Sequence, residues 1–227
     1  MKKLEVLYQD DFLLAVNKPS GLLSVPGRGP EKADCAVARA ALEFRWIREV
    51  HRLDMATSGV LLLARNPDVH RKLSRAFANR EIEKTYIAIT SALPEDPHRE
   101  GVVFEKGQLS GRITLYQRLD TDNRPHQLID PERGKEAVTD WRLSPETRSG
   151  ESAGGGVYRL ELKPLTGRTH QLRLALSICR AAIFGDSLYG EQIIGESLSR
   201  LLLHAALLRF THPVNGEAVE IQSVIPF

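Results

Sequence analysis

The sequence predicts an α+β fold, a mixed and largely antiparallel β-sheet with flanking helices. Three observations carry the prediction. Short apolar runs with β-branched or aromatic content outnumber the helical patterns, and turn chemistry separates nearly all of them. The helices also fall irregularly among the strands rather than alternating with them as a doubly wound βαβ series requires. There is no internal repeat, and the loops at 94–101, 120–136 and 144–156 lack the length and monotony of disordered linkers. Residues 1–227 therefore read as a single domain.

Along the chain, strands are predicted at 4–8 (LEVLY) and 12–17 (FLLAVN), the second closed by a Lys18-Pro19-Ser20-Gly21 turn. A helix follows over about 35–46 behind Asp34, and then an apolar strand at 60–64 (VLLLA) after a Thr-Ser-Gly turn. The next helix, 67–80, has the clearest signals: Asn66 as N-cap, Pro67 at the first helical position, and Val69, Leu73, Ala76 and Phe77 at core spacing. Its other face carries His70, Arg71, Lys72, Arg75 and Arg80 with no acid between residues 69 and 80, the densest basic cluster in the chain. Strands at 85–90 (TYIAIT), 112–118 (RITLYQR), 137–143 (AVTDWRL) and 157–163 (VYRLELK) come next. The last alternates cleanly, with Tyr158, Leu160 and Leu162 opposite Arg159, Glu161 and Lys163. A third helix over about 170–180 behind Thr169 aligns His170, Arg173, Ser177 and Arg180 on one stripe and Leu172, Leu176 and Cys179 on another. Strands at 205–211 (AALLRFT) and 218–222 (AVEIQ) complete the set.

Composition narrows the function classes. A 42% hydrophobic content fills an ordinary core, and 31 basic residues against 29 acidic ones leave no global field, so any attraction to a polyanion must be local. Two distant cysteines, Cys35 and Cys179, suit a reducing compartment. No apolar run approaches the ~18 residues of a membrane span. The expectation is a cytoplasmic protein without a targeting segment or membrane contact.

The usual chemical signatures are missing. The glycines of KPSGLLSVPGRGP have neither dinucleotide nor P-loop spacing, and the seven histidines form no HxH or HExxH pattern, so neither a nucleotide cofactor nor a metal is expected. Ser58, His170 and Asp54 could be drawn as a triad, without the G-x-S-x-G elbow that such a reading needs. Asp54, in HRLDMATSGV, stands out. In an extended segment Arg52 and Asp54 share a side, so a guanidinium lies beside a carboxylate at the edge of a turn; the bland alternative is a turn-forming aspartate. The stripe through Arg173 is either a solvated helix face or a source of a second arginine. Tyr86 is either packing or a flat platform for a base.

Taken together, VNKPSGLLSVPG (16–27), HRLDMATSGVLLLA (51–64), EKTYIA (83–88), KPLTGRTHQLR (163–173), GDSLYG (185–190), LLLHA (201–205) and THP (211–213) resemble the RluA-type family of pseudouridine synthases over nearly the whole chain. The likeness is to compact members without an N-terminal S4-like domain, since the first motif starts at Asn17. The resemblance implies one catalytic domain with a central RNA-binding cleft, no cofactor, a monomer, and RNA as partner in the form of a tRNA or rRNA hairpin. It implies that Asp54 is the catalytic carboxylate, that Tyr86 packs against the target base, and that Arg173 is the cation paired with the aspartate. Arg52 would fill the space of the flipped nucleotide, and Leu172 would wall the base. His51, Arg28, Arg71, Lys72, Arg75 and Lys84 would bind RNA; four phosphate contacts on loop RNA give a salt slope of about −3. The family's pattern after HQLR is not kept, because Ala175, Arg180, Ala181 and Ala182 stand there. That departure bears on substrate choice rather than on Asp54, Tyr86 or Arg173.

Overall fold

The computed structural model describes residues 2–145, 156–190 and 199–227, which leaves most of the predicted 144–156 loop outside the described residues. In chain order the elements are β1 (Glu5–Gln9), β2 (Leu13–Lys18), a short 3-10 turn (Pro30–Lys32), α1 (Ala36–Ala41), β3 (Arg48–Glu49), β4 (Ser58–Ala64), α2 (Pro67–Ala78), β5 (Glu83–Thr90), β6 (Val102–Lys106), β7 (Ser110–Leu119), β8 (Gln127–Ile129), β9 (Lys135–Leu143), β10 (Tyr158–Pro164), α3 (Gln171–Ile178), β11 (Leu203–Thr211) and β12 (Ala218–Gln222). The strands are mixed and mostly antiparallel, as the sequence predicts. The chain divides into two compact units, Met1–Thr85 with His204–Phe227, and Tyr86–Leu203.

In the first unit the strands run β1-β2-β4-β11, with β3 on β4 and β12 on β11. All seven residues of β4 are buried, which is what an uninterrupted SGVLLLA run demands of a central strand. β2 pairs with it antiparallel from Leu13↔Ala64 to Lys18↔Gly59, and β11 pairs parallel through His204↔Ser58 and Ala205↔Gly59. α2 covers this sheet: Val69 and Leu73 join Leu13, Val60, Leu62, Leu208 and Phe210 in one core, with Ala76 and Phe77 packed at its margin. Asn66 caps the helix, its Oδ1 accepting from Val69 N at 2.9 Å.

In the second unit β5-β10-β9-β7-β6 form an antiparallel ladder, with β8 on β7. Cross-strand register sets Tyr86 opposite Leu162, Leu162 opposite Trp141, and Trp141 opposite Gly111, so these residues share one face. α3 packs on that face: Gln171 donates to Val138 O at 2.9 Å and to Thr139 Oγ1 at 3.0 Å, and Thr139 lies two residues from Trp141 on the same strand.

Several expectations change. α1 stops at Ala41 rather than 46, and its N-cap is Cys35, whose Sγ accepts from Ala38 N at 3.3 Å. Asp34 instead holds the Arg39 guanidinium through Nε at 2.8 Å and Nη2 at 2.7 Å. α2 ends at Ala78, so Arg80 sits beyond it in the left-handed region at φ 63°. β3, β6 and β8 lie outside the strands that the sequence predicts. Among the described residues no helix is long and apolar enough to cross a membrane.

Candidate active site

Asp54 stands in the turn between β3 and β4, and the turn is clamped from both sides. The leading residue, Leu53, is 6% exposed, and the Ser24 hydroxyl takes its N–H at 3.0 Å while donating to its carbonyl at 2.7 Å. Inserting Leu53 into the core leaves Arg52 exposed and Asp54 half-buried, both on the side away from it. After Asp54, Met55 O accepts from Gly21 N at 2.8 Å and Lys18 Nζ at 3.1 Å, and Ala56 O accepts from Ser20 Oγ at 2.7 Å. Thr57 N closes the turn on Asp54 O at 3.1 Å. Lys18 is fully buried, and its ammonium also donates to Pro19 O at 3.0 Å and Leu22 O at 2.7 Å. The NKPSG stretch predicted as a simple turn is thus the hydrogen-bonded mould in which the Asp54 backbone is cast. Sequence reasoning missed this role for Lys18 and Ser24; the signal was a lysine at the end of an apolar strand, where a side chain that costly to bury needs several acceptors.

The remaining first-unit residues divide by environment. His51 accepts from Leu62 N through Nε2 at 3.0 Å and stacks on Phe77 with centroids 4.6 Å apart. Burial, with the charge of Lys84 nearby, pushes its pKa down to about 3, so the ring is neutral. Burial and then Arg80 push Lys84 down to about 8. Arg28 is exposed, just before the 3-10 turn. On α2, Arg71 pairs with Asp68, Lys72 donates to Pro213 O at 2.8 Å, and Arg75 is exposed; Asp68, Arg71, Lys72 and Arg75 line an open cleft of about 370 Å³. Ser58, the serine of the triad considered above, lies beside a different histidine. Its Oγ is 2.8 Å from His204 Nδ1, and His204 Nε2 is 3.0 Å from Ser223 Oγ, a buried serine-histidine-serine chain.

In the second unit, Tyr86 is half-buried on β5 and shares the α3-covered face, while Leu172 is buried at 6% exposure. The polar stripe of α3 is not a solvated face: Arg173 is 3% exposed and His170 9%, and of the four stripe residues Arg180 alone is exposed. Arg173 donates from Nε at 2.8 Å and Nη2 at 2.6 Å to the two oxygens of Asp186, a two-pronged buried pair. Burial alone would raise the Asp186 carboxyl, but the Arg173 fork and the N–H groups of Leu188 and Tyr189 outweigh it and hold it below its ordinary value. Tyr189 completes the arrangement. Its ring lies 5.5 Å from the guanidinium carbon of Arg173, its hydroxyl accepts from Gln127 N at 2.7 Å and lies 2.9 Å from His170 Nδ1, and its carbonyl accepts from Ser177 Oγ at 2.7 Å. Asp186 and Tyr189 belong to GDSLYG, so the motif was visible, but periodicity could not say that it docks on α3. Among the described residues no three His, Cys, Asp or Glu side chains are grouped to hold a metal ion.

Comparison with known proteins bears on the family. Residues 12–177 match the family model described as RNA pseudouridylate synthase. The chain is 40% identical over 223 residues to the dual-specificity RNA pseudouridine synthase RluA of Yersinia pestis, covering 98% of this chain and 99% of that one. It is 38% identical over 224 residues to the enzyme of the same name from Escherichia coli strain K12, covering 99% and 94%. Among solved structures it is similar to human RNA pseudouridylate synthase domain containing 1, with TM-score 0.72 and 29% identity over 99% of this chain and 84% of that one. Human RNA pseudouridylate synthase domain containing 4 gives TM-score 0.67 and 26% identity over 98% and 88%.

Proposed function

The chain belongs to the RNA pseudouridylate synthase family, and from that premise we propose that it isomerises a uridine in an RNA hairpin loop, in the tRNA anticodon arm, in large-subunit rRNA, or in both. Near full-length identity to relatives whose name records a dual specificity carries the substrate assignment. The reaction breaks the N-glycosidic bond, turns the uracil, and joins C5 to C1′; the proton on C5 leaves to water and N1 acquires one. The uracil stays bound and re-adds, so one carboxylate suffices where glycoside hydrolysis uses two.

Asp54 supplies that carboxylate, and a clamped backbone on either side of it is what preorganisation of a catalytic group requires. Tyr86 packs against the target base, Leu172 adds apolar wall, and Arg173 contributes the fixed guanidinium. Arg52, exposed beside the turn, takes the place of the nucleotide flipped out at a cost of a few kcal/mol. Arg28, Arg71, Lys72, Arg75 and Lys84 follow the phosphate backbone, and His51 supports the α2 side of that surface. A cytoplasmic monomer that needs no cofactor fits this role.

The test is release of tritium from C5-labelled uracil in three transcripts: an anticodon stem-loop, a large-subunit rRNA hairpin, and a different tRNA arm. Release from either of the first two and none from the third is the expected result. Release from the third alone would overturn the target assignment.

A further inference from the structure

We propose that Trp46 is a stacking platform for an unpaired base of the RNA substrate, a second contact outside the reacting uridine, flanked by Arg45 and Arg48. The proposal rests on the RNA reading above and adds a subsite to it. It starts from where the indole is placed. The chain has two tryptophans, and they are treated oppositely: Trp141 is 2% exposed, whereas Trp46 is 40% exposed. A tryptophan left outside the core forgoes the largest apolar burial any side chain offers.

Trp46 is also held there by its backbone. Its φ is 47°, in the left-handed region that bulky residues seldom occupy. The residues around it are anchored: the Phe44 ring carries the Arg65 guanidinium 5.4 Å from its centroid, Ile47 is buried, and Arg48 pairs with Ala64 at the start of β3. The bend between those anchors keeps the indole at the surface. One side of the ring system is supported by His70, edge-to-face at 6.3 Å and 77°, and His70 is fixed in turn by a 3.0 Å hydrogen bond between Nε2 and Glu49 O. A flat ring that is 40% exposed and braced by a fixed neighbour suits stacking.

The charge around it selects a polyanion. Arg45 and Arg48 are exposed, and neither makes an ion pair with a described residue. Of the acids nearest in sequence, Glu43 is paired with Lys3, which leaves Glu49 against Arg45 and Arg48. In a chain whose formal net charge is only +2, that surplus is local. An aromatic face set among cations is the arrangement that binds single-stranded nucleic acid with little regard to sequence.

The two tryptophans supply the assay. The full-length protein is titrated with an anticodon stem-loop transcript and with a blunt RNA duplex of equal length while tryptophan emission is followed. The expected result is saturable quenching by the stem-loop and little by the duplex, since Trp141 is shielded. Trp46→Ala should abolish the quench and weaken stem-loop binding roughly tenfold, as the loss of one stacked base would. Trp46→Phe should bind within about threefold of the parent because a π-face is kept. Leu42→Ala, at a more exposed apolar residue outside the cationic frame, should leave both readings unchanged. Equal affinity in Trp46→Ala, or equal quenching by the duplex, would overturn the proposal. Tritium release by the same samples reports separately on the catalytic reading, whose failure would leave the binding result standing.

Discussion

Asp186 accepts two hydrogen bonds from Arg173 with both side chains almost wholly withdrawn from solvent, 1% and 4% exposed, so neither charge has water to fall back on. Neutralising one side weakens the fork that holds the other. Asp186→Asn should therefore cost about 1.5–3 kcal/mol of stability by urea unfolding, whereas an exposed pair such as Arg71–Asp68 contributes about 0–1 kcal/mol. The stripe of α3 was legible as polar, but its partner comes from a turn thirteen residues away. No periodicity reports that pairing, so a solvated face and a buried cation looked alike. His51 makes a pH prediction of definite sign. Its folded pKa is pushed down to about 3 from 6.5, so below pH 6.5 the unfolded chain binds a proton that the folded chain refuses. That contribution to stability is complete above pH 6.5 and is lost as pH falls toward 3. Unfolding free energies compared between pH 7 and pH 5 should fall less in His51→Gln than in the parent, because glutamine can accept from Leu62 N without titrating.

At the level of elements, legibility followed burial. β2, β4, β10 and β11 have apolar runs or strict alternation because each has a face, or two, in a core. β6 has no fully buried residue, β3 is the two-residue stretch Arg48–Glu49, and β8 is three residues long, so none leaves a hydrophobic signature to read. They are held by neighbours' hydrogen bonds instead. α1 is short because the chain leaves the helix after Leu42 for the bend that ends at Trp46, a choice made by tertiary anchoring rather than by propensity. The junction of β4 with β11 depends on Gly59, at φ 114°, where an added Cβ would lie 2.2 Å from Ala205 O. The Ala205 backbone cannot readily give way, and the conformation is strained for any L side chain. Gly59→Ala should lose about 3 kcal/mol or more in thermal or urea unfolding, with the first unit's sheet as the casualty.

For the molecule as a whole, the near-neutral composition excluded a global attraction to RNA, and the structure locates cations on particular surfaces instead. Family motifs made the reaction class readable, whereas the supports of the Asp54 turn and of Arg173 were not: Lys18 on three carbonyls, Ser24 around Leu53, and Tyr189 beneath Arg173 are set by tertiary pairing. On the proposed function, the clamped turn of HRLD presents Asp54 to a uridine. The most direct test is C5-tritium release from a hairpin RNA by the parent and by Asp54→Asn, with RNA binding measured on the same samples. The expected result is release by the parent, a loss of about a thousandfold or more in Asp54→Asn, and binding retained within a few-fold. Release by Asp54→Asn at the parent's rate would contradict it.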